Sequence, residues 1–568
     1  MQKHNTKNIA THAALERILN VYFRENGQYR ESDPSHQWTI QLNEAGKLMG
    51  QFSYWSPMGH HMYENHITLH DGDTVSQLTP VEGIQLILEK MVDETDEDQS
   101  EIKQRLEAVQ TDIDNSIERT ACYLAFRESQ HHETRYIQSE QSLYLGHPFH
   151  PTPKSATGFS QGDIQSYAPE CHVSFQLFYI AVHQSLLLER YVTGHQSGVD
   201  TKLHKLSKIP KSDIGKDFKL LAVHPFQIDI LKQNGLFKVW CAKGLVRVYG
   251  PCGDEVYPTS SVRTVFAKHL NFYLKLPIQV KITNFVRTND FEQIERTLDA
   301  AEIIATVKRS YETAAFKLMF EEGYRAFKAD SQADSHLLEN SAMIVREGIE
   351  SYQTEQDIHV LASLVETLPD NATSLLSQRI EQSGLTSEAW LADYLNMTLR
   401  PMLKLFSETG ISLEAHVQNT LIALKQGRPH TCYVRDLEGI CVSRELAQQA
   451  NIIPNIVREE SPVVLSHQEA WHRFKYYIIV NQLGHLISTI GKAYHNESQL
   501  WSVVREQFIQ WQASGNEVMQ ASIQYLCDTP FFEAKANLTS KLKDCGENPI
   551  YIEIPNPIFI EKEDHLVG

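Results

Sequence analysis

Hydrophobic and polar positions change their period several times along this chain. The segment ATHAALERILNVYF spaces its apolar residues as an amphipathic helix that begins near Thr11, whereas HQWTIQL and LMGQFSYWS alternate as short strands. Residues 81–126 return to helical spacing around the acidic turn DETDEDQSE. Farther on, FQLFYIAVHQSLLLERYV, FEQIERTLDAAEIIATVK, AWLADYLNMTLRPMLKLFSETG and HQEAWHRFKYYIIVNQLGHLISTIG read as helical, and a short β portion is predicted from Ile411 to Val442. Between them, Leu274, Leu276, Ile278, Val280 and Ile282 share one parity, and Lys275, Gln279, Lys281 and Thr283 share the other. One strand over this stretch would bury an apolar face and turn cations and donors the other way. Pro277 cannot donate to a ladder and marks an edge or a bulge. Helices and short strands without an internal repeat predict an α+β chain.

A chain of 568 residues exceeds what one hydrophobic core usually supports, so two to four domains are expected. Its net charge of -19 argues against general binding of nucleic acid or an anionic membrane, both of which need clustered positive charge. Against that background the stretch from Val256 to Asn289 has no acidic residue and carries Arg263, Lys268, Lys275, Lys281 and Arg287. Two readings fit it: a solvated basic strand, or a face built to meet an anion. The N-terminus lacks the apolar core and cleavage site of a secretory signal, and the apolar run YYIIVNQLGHLISTIG is interrupted by Asn481, Gln482 and His485, so a soluble, cytoplasmic protein is expected. Eight scattered cysteines without a CxxC pair suit reduced thiols.

The candidate chemistry falls into three segments. Ser261, Arg263 and Thr264 form an S-x-R-T turn, and Thr283, Asn284 and Arg287 repeat the mixture of hydroxyl, amide and guanidinium that phosphate or carboxylate oxygens need. In GISLEAHVQN a strand would place Glu414, His416 and Gln418 on one face, closed by Asn419, and a hairpin path could bring back Asp436 of VRDLEG. Glu414, Asn419 and Asp436 are oxygen donors of the kind Mg²⁺ takes beside phosphates, and the order echoes a kinase catalytic loop; a half-buried strand with a satisfied histidine is the plainer reading. In GHPFHPTPKSATGF, prolines stiffen a loop bearing His147, His150 and Lys154. Without a third ligand, and with a lysine adjacent, zinc is disfavoured; an anion-donor loop and a structural turn remain. No Walker loop or GxGxxG is present.

Taken jointly, GHPFHPTPK, SSVRT, KITNFVRT, EAHVQN, VRD and AKAN resemble, in order and over nearly the whole chain, the nonribosomal-peptide-synthetase-independent siderophore synthetases of the aerobactin-synthetase type, in their citrate-using branch. The resemblance implies a cupped hand of thumb (1–159), fingers with a mixed or antiparallel sheet (160–359) and a largely helical palm (360–568). It implies a ligase that adenylates citrate with ATP and Mg²⁺, then forms an amide with an amine, here L-2,3-diaminopropionate, or ornithine as the alternative. It also implies a homodimer. By motif position Arg263, Lys275, Arg287 and His416 would be catalytic, with Ser261, Thr264, Thr283, Asn284, Arg346, Gln418, Asn419 and Asp436 joining Lys275, Arg287 and His416 on the nucleotide. His150, Lys154, Arg263, Arg287, Arg473 and Lys535 would face citrate, and Glu414 and Asp436 would take the metal. Where many members read K-S-R-x-G-F, this chain has Ala156 in K-S-A-T-G-F, so a basic contact there is missing or supplied elsewhere. Outside the family, the competing readings are a small-molecule kinase, which releases ADP, and a citrate or siderophore binding protein, which expects an export signal or lipoprotein cysteine.

Overall fold

A computed structural model describes residues 2–27, 36–93, 99–127, 133–283, 285–329, 334–350, 352, 357–368, 373–546 and 548–560. The N-terminal helix spans Gln2–Glu25, starting well before Thr11, because the apolar stripe that begins at Ile9 and Ala10 is extended backward by a polar turn. It packs with helices Pro80–Asp93 and Gln99–Leu124 and with an antiparallel sheet, residues 37–78, around Ile18, Leu19, Ile40, Leu48, Ile87 and Ile113.

The central feature is an eight-stranded sheet in the order Leu187–Tyr191, Glu321–Phe327, Met343–Glu347, Phe272–Lys275, Thr264–Ala267, Val246–Pro258, Phe175–His183, Phe218–Val223. Every neighbouring pair runs antiparallel. The segment FQLFYIAVHQSLLLERYV, expected to be helical, supplies two of these strands joined by a short 3₁₀ turn at Gln184–Leu186. Leu177, Tyr179, Ile180, Ala181 and Val182 are all buried, so both faces of the strand are covered, and a continuous apolar run of that kind has no period to separate it from a buried helix.

The alternation from Leu274 to Ile282 is real, since Leu274, Leu276, Ile278 and Val280 are all fully buried, but it does not form one strand. Phe272–Lys275 ends in the eight-stranded sheet and Ile278–Ile282 begins in a small sheet with Phe285–Arg287 and Ala156–Thr157. Pro277, lacking an N–H, stands where the chain passes from one sheet to the other. A consequence is that Lys275 is only 4% exposed while Lys281 is open to solvent.

A four-stranded sheet, ordered Phe316–Leu318, Arg428–Val434, Thr420–Lys425, Asp357–Val360, lies among helices that include Ser387–Met397, Leu399–Thr409 and a continuous helix from His467 to Tyr494. The EAHVQN segment corrects the strand expectation: pairing stops at Ser412, and residues 413–419 form a loop and turn before Thr420–Lys425. The loop satisfies its own backbone, for Asn419 Nδ2 donates to the Glu414 carbonyl (3.1 Å) and Thr420 Oγ1 to that of His416 (3.1 Å). Helices and mainly antiparallel sheets together make the fold α+β.

Candidate active site

A cavity of about 600 Å³ opens where the ends of central strands of the eight-stranded sheet, the small sheet, the EAHVQN loop and the long helix His467–Tyr494 meet. Its walls include Lys154, Ser261, Arg263, Lys275, Thr283, Arg287, Glu414, His416, Gln418, Asn419, Asp436 and Arg473, so most of the residues singled out in the sequence converge on one space.

The S-x-R-T turn is fastened to the EAHVQN loop through Glu140, which no motif announced, and Arg435 of VRD. Glu140 accepts from Ser260 N (3.0 Å) and Ser260 Oγ (2.9 Å), and it is ion-paired with Arg435 in the interior. Arg435 Nη2 donates to the Gln418 carbonyl (3.0 Å), and Gln418 Nε2 donates to that of Ser260 (3.0 Å). Three elements distant in sequence are thus set at one spacing by a single buried pair. Val262 and Asp436 both sit at positive φ, +66° and +69°, which the surrounding bonds must impose on non-glycine residues.

Below this clamp lies an alternating array of charges. Lys275 Nζ donates to Asp436 Oδ1 (2.9 Å) and Glu438 Oε2 (2.7 Å). Arg346, 2% exposed, pairs through Nε with Glu321 Oε1 (2.8 Å) and through Nη2 with Asp436 Oδ2 (3.1 Å). Arg263 donates to the Thr288 carbonyl (2.8 Å) and Asn289 Oδ1 (2.6 Å), and lies 3.6 Å from Glu438. Arg287 bonds to the Ile282 carbonyl and Thr283 Oγ1, both at 3.3 Å.

The electrostatics divide the three carboxylates. Burial would raise Asp436, but Lys275 and Arg346 outweigh it and hold the group well below the usual carboxylate range. Glu438 is lowered in the same way, burial being overcome by Lys275 and Arg263. For Glu414 the opposing cation, Lys535, is outweighed; burial first, then the charges of Asp436 and Glu438, push it up to about 7. Burial and the neighbouring Arg263 bring Arg287 down to about 10, still protonated at neutral pH. Burial also brings His416 down to about 4, so its ring is neutral.

Several expected site residues stand behind or off the cavity, or have their polar groups taken up by neighbours. Thr264 and Arg346 are behind the cavity wall, Thr264 with its hydroxyl buried and unpartnered, and Arg346 supporting Asp436. His150 is half-buried outside the lining, its Nδ1 accepting from Thr152 N (3.1 Å), and His147, which reaches the lining, accepts at Nδ1 from Phe149 N (3.1 Å); each ring locks its own proline-rich turn. Lys154 is engaged by Glu170. Lys535 stands off the lining, 5.2 Å over the Tyr476 ring and within the field of Glu414, while burial lowers its pKa. Asn284 lies outside the described residues. Glu140, Glu321, Arg435 and Glu438 were missed; the Glu438 of VRDLEG, two residues beyond Asp436, was the one legible hint.

As a chemical device the cavity offers Arg263, Lys275, Arg287 and Arg473 for anions, and Glu414, Asp436 and Glu438 for a hard cation. Among the described residues no trio of ligands is already close enough to hold a metal ion, and no helix is long and apolar enough to cross a membrane.

Residues 135–366 match the model of the IucA / IucC family, and residues 388–550 match one described as ferric iron reductase FhuF-like transporter. Over 561 residues the chain is 57% identical to the L-2,3-diaminopropanoate–citrate ligase of Staphylococcus aureus, covering 98% of this chain and 97% of the relative. It is 26% identical to the spermidine-citrate ligase of Bacillus anthracis, with 98% and 99% covered. The structure of ATP-bound aerobactin synthetase IucA from Klebsiella pneumoniae superposes with a TM-score of 0.86 at 23% identity, covering 97% of this chain and all of that one.

Proposed function

The chain belongs to the IucA / IucC family, and we propose that it is an ATP-dependent ligase that adenylates one carboxylate of citrate and transfers the citryl group to L-2,3-diaminopropionate as an amide. The observation that carries this reading is the meeting of Arg263, Lys275 and Arg287 with three carboxylates in one cavity. Citrate and a triphosphate repel each other, and attack at the α-phosphate needs both anions neutralised at bonding distance. Kinship with the diaminopropanoate–citrate ligase supports the choice of acid and amine.

In this mechanism Ser261, Thr283, His416 and Gln418 position the nucleotide, and Arg287 faces the α-phosphate between it and citrate. Arg263 and Arg473 draw the citrate carboxylates, and Lys535 adds its charge from the second rank. Lys275, on the rim of the same array, balances Asp436 and Glu438 until phosphate oxygens arrive. His416, neutral in the free cavity, donates a hydrogen bond without adding charge. The chain then keeps water from the citryl adenylate while the amine attacks and AMP leaves.

Mg²⁺ fits the donors present: Asp436 and Glu414 are hard oxygen ligands, and the ion takes one or two carboxylates with phosphates and waters rather than an all-protein cage. Bound there, it would offset phosphate charge in the transition state. Glu414, raised to about 7 by burial and then by Asp436 and Glu438, is the carboxylate that gains most from a cation. A homodimer in the cytoplasm completes the reading, and sedimentation tests the dimer.

The test is an amine panel with citrate and ATP, the products identified by mass. kcat/KM for 2,3-diaminopropionate is expected to exceed that for ornithine, lysine and ethanolamine by at least about tenfold, which is about 1.4 kcal/mol of transition-state discrimination. Equal rates with ornithine would remove diaminopropionate from the assignment and leave citrate activation standing.

A further inference from the structure

The cavity extends past the charge array along one face of the C-terminal helix. Arg473, Tyr477, Asn481, His485 and Thr489 all line it, a repeat of four residues. In an α-helix four residues overshoot one turn, and such a row drifts off the face; here Lys475–Leu483 is π-helical, whose wider turn four residues undershoot. Mixing the two keeps the row pointing into the cavity. Tyr477 lies beside His416, with ring centroids 6.0 Å apart. From there His485 is eight residues on, at most about 12 Å because π-helical residues rise less than α-helical ones, and Lys492 is at most about 22 Å away.

At His485 the wall changes character. Its ring stacks on His60, centroids 5.1 Å apart and planes at 22°, and His60 is 4% exposed with Nε2 buried and unpartnered. Burial lowers both rings, His485 to about 3, and the charged groups acting on the pair are cations or other imidazoles: Arg17 and Arg24 from the N-terminal helix, His147 from the proline-rich loop and Lys492 from the same helix. Glu16 faces Lys492 at the far end. Two uncharged rings in a positive field, one with an unused nitrogen, suit an anion and disfavour an ammonium.

Resting on the ligase reading, we propose that His60, His485 and Asn481 form the subsite for the carboxylate of the amine cosubstrate, so that the site selects an amino acid over a simple amine or polyamine. A three-carbon diamino acid is about 5 Å from its terminal nitrogen to its carboxylate, given bonds near 1.5 Å. A hydrogen bond of about 3 Å at each end brings that length to about 11 Å, close to the interval between His416 and His485 and far short of Lys492. The terminal nitrogen then meets the citryl carbonyl beside His416. The C–N bond forms and the C–O bond to AMP breaks. AMP carries away the electron pair, and the nitrogen releases its protons to water. Arg24, Arg17 and Lys492 supply field rather than contact.

The experiment compares two nucleophiles on His485→Leu, His485→Gln and His60→Gln. Hydroxylamine has no carboxylate and traps an acyl adenylate as a hydroxamate, so it reports citrate activation alone. For His485→Leu the KM for 2,3-diaminopropionate is expected to rise at least tenfold, with citrate hydroxamate formation within twofold of wild type. His485→Gln, which keeps a donor, is expected to recover part of the loss, and His60→Gln to shift the same KM. Equal losses with both nucleophiles, or an unchanged KM in both His485 variants, would overturn the subsite. Wild-type protein that forms no citrate hydroxamate would instead overturn the ligase reading, and the subsite with it.

Discussion

Replacing Glu414 by glutamine should make the protein more stable above neutral pH while destroying its activity. The carboxyl is pushed from 4.5 to about 7 by burial, then by Asp436 and Glu438, and its side chain lies against Gly439 so closely that a Cβ there would sit 1.6 Å from Oε2. Because the folded protein binds this proton more tightly than the unfolded chain, the group costs nothing below pH 4.5. Its cost grows as pH rises from 4.5 to 7 and is constant beyond. At about 1.36 kcal/mol per pH unit, the rise corresponds to about 3 kcal/mol of lost stability at pH 8. Glu414→Gln removes the ionisation and keeps the shape. Urea unfolding of both proteins from pH 4.5 to 8.5 should give curves that meet at the acid end and part with rising pH, the variant ahead by about 3 kcal/mol at pH 8. Curves that run parallel, or a variant less stable at pH 8, would refute the electrostatic account of the triad.

Arg287→Ala and His416→Ala are expected to abolish turnover with the fold intact by circular dichroism, since the proposed mechanism sets both at the α-phosphate of the adenylyl group; wild-type kcat in either folded variant removes that residue from the mechanism. Asp436→Asn should raise the Mg²⁺ concentration needed for half-maximal rate, an amide being a poorer ligand for a hard cation, and an unchanged titration assigns Asp436 to structure. Arg435→Met strands Glu140 and should cost about 3–5 kcal/mol in denaturant unfolding; a loss below 1 kcal/mol would mean the clamp is not held by that pair.

What could be read from the sequence was the chemistry on loops and turns; what could not was the arrangement beneath it. The long helical segments, from Phe291 and from His467, announce themselves by period and caps, and the structure shows helices at both places. The strand Phe175–His183 was taken for helix because burial on both faces erases the alternation that distinguishes the two. Pro277 was visible as an interruption, but that it separates two sheets depends on pairings with Arg346 and Thr157, far away in the chain. The cations of the site, Arg263, Lys275 and Arg287, stood out against a strongly acidic chain. Their counter-charges did not: Glu140 and Glu321 sit in unremarkable local sequence, Glu438 of VRDLEG gives only a hint, and all three become meaningful when the fold brings them to Arg435, Arg346 and Lys275. The His-Pro loop shows the reverse: its residues are conspicuous, yet the structure spends His147 and His150 on their own turns.

The central claim is that citrate is activated as an acyl adenylate in this cavity. It is tested most directly by citrate-dependent exchange of labelled pyrophosphate into ATP without any amine, with the nucleotide products separated once diaminopropionate is added. Exchange that requires citrate, followed by AMP and pyrophosphate in equal amounts with the amide, is the expected result. No exchange with citrate, or ADP as the nucleotide product, would contradict it.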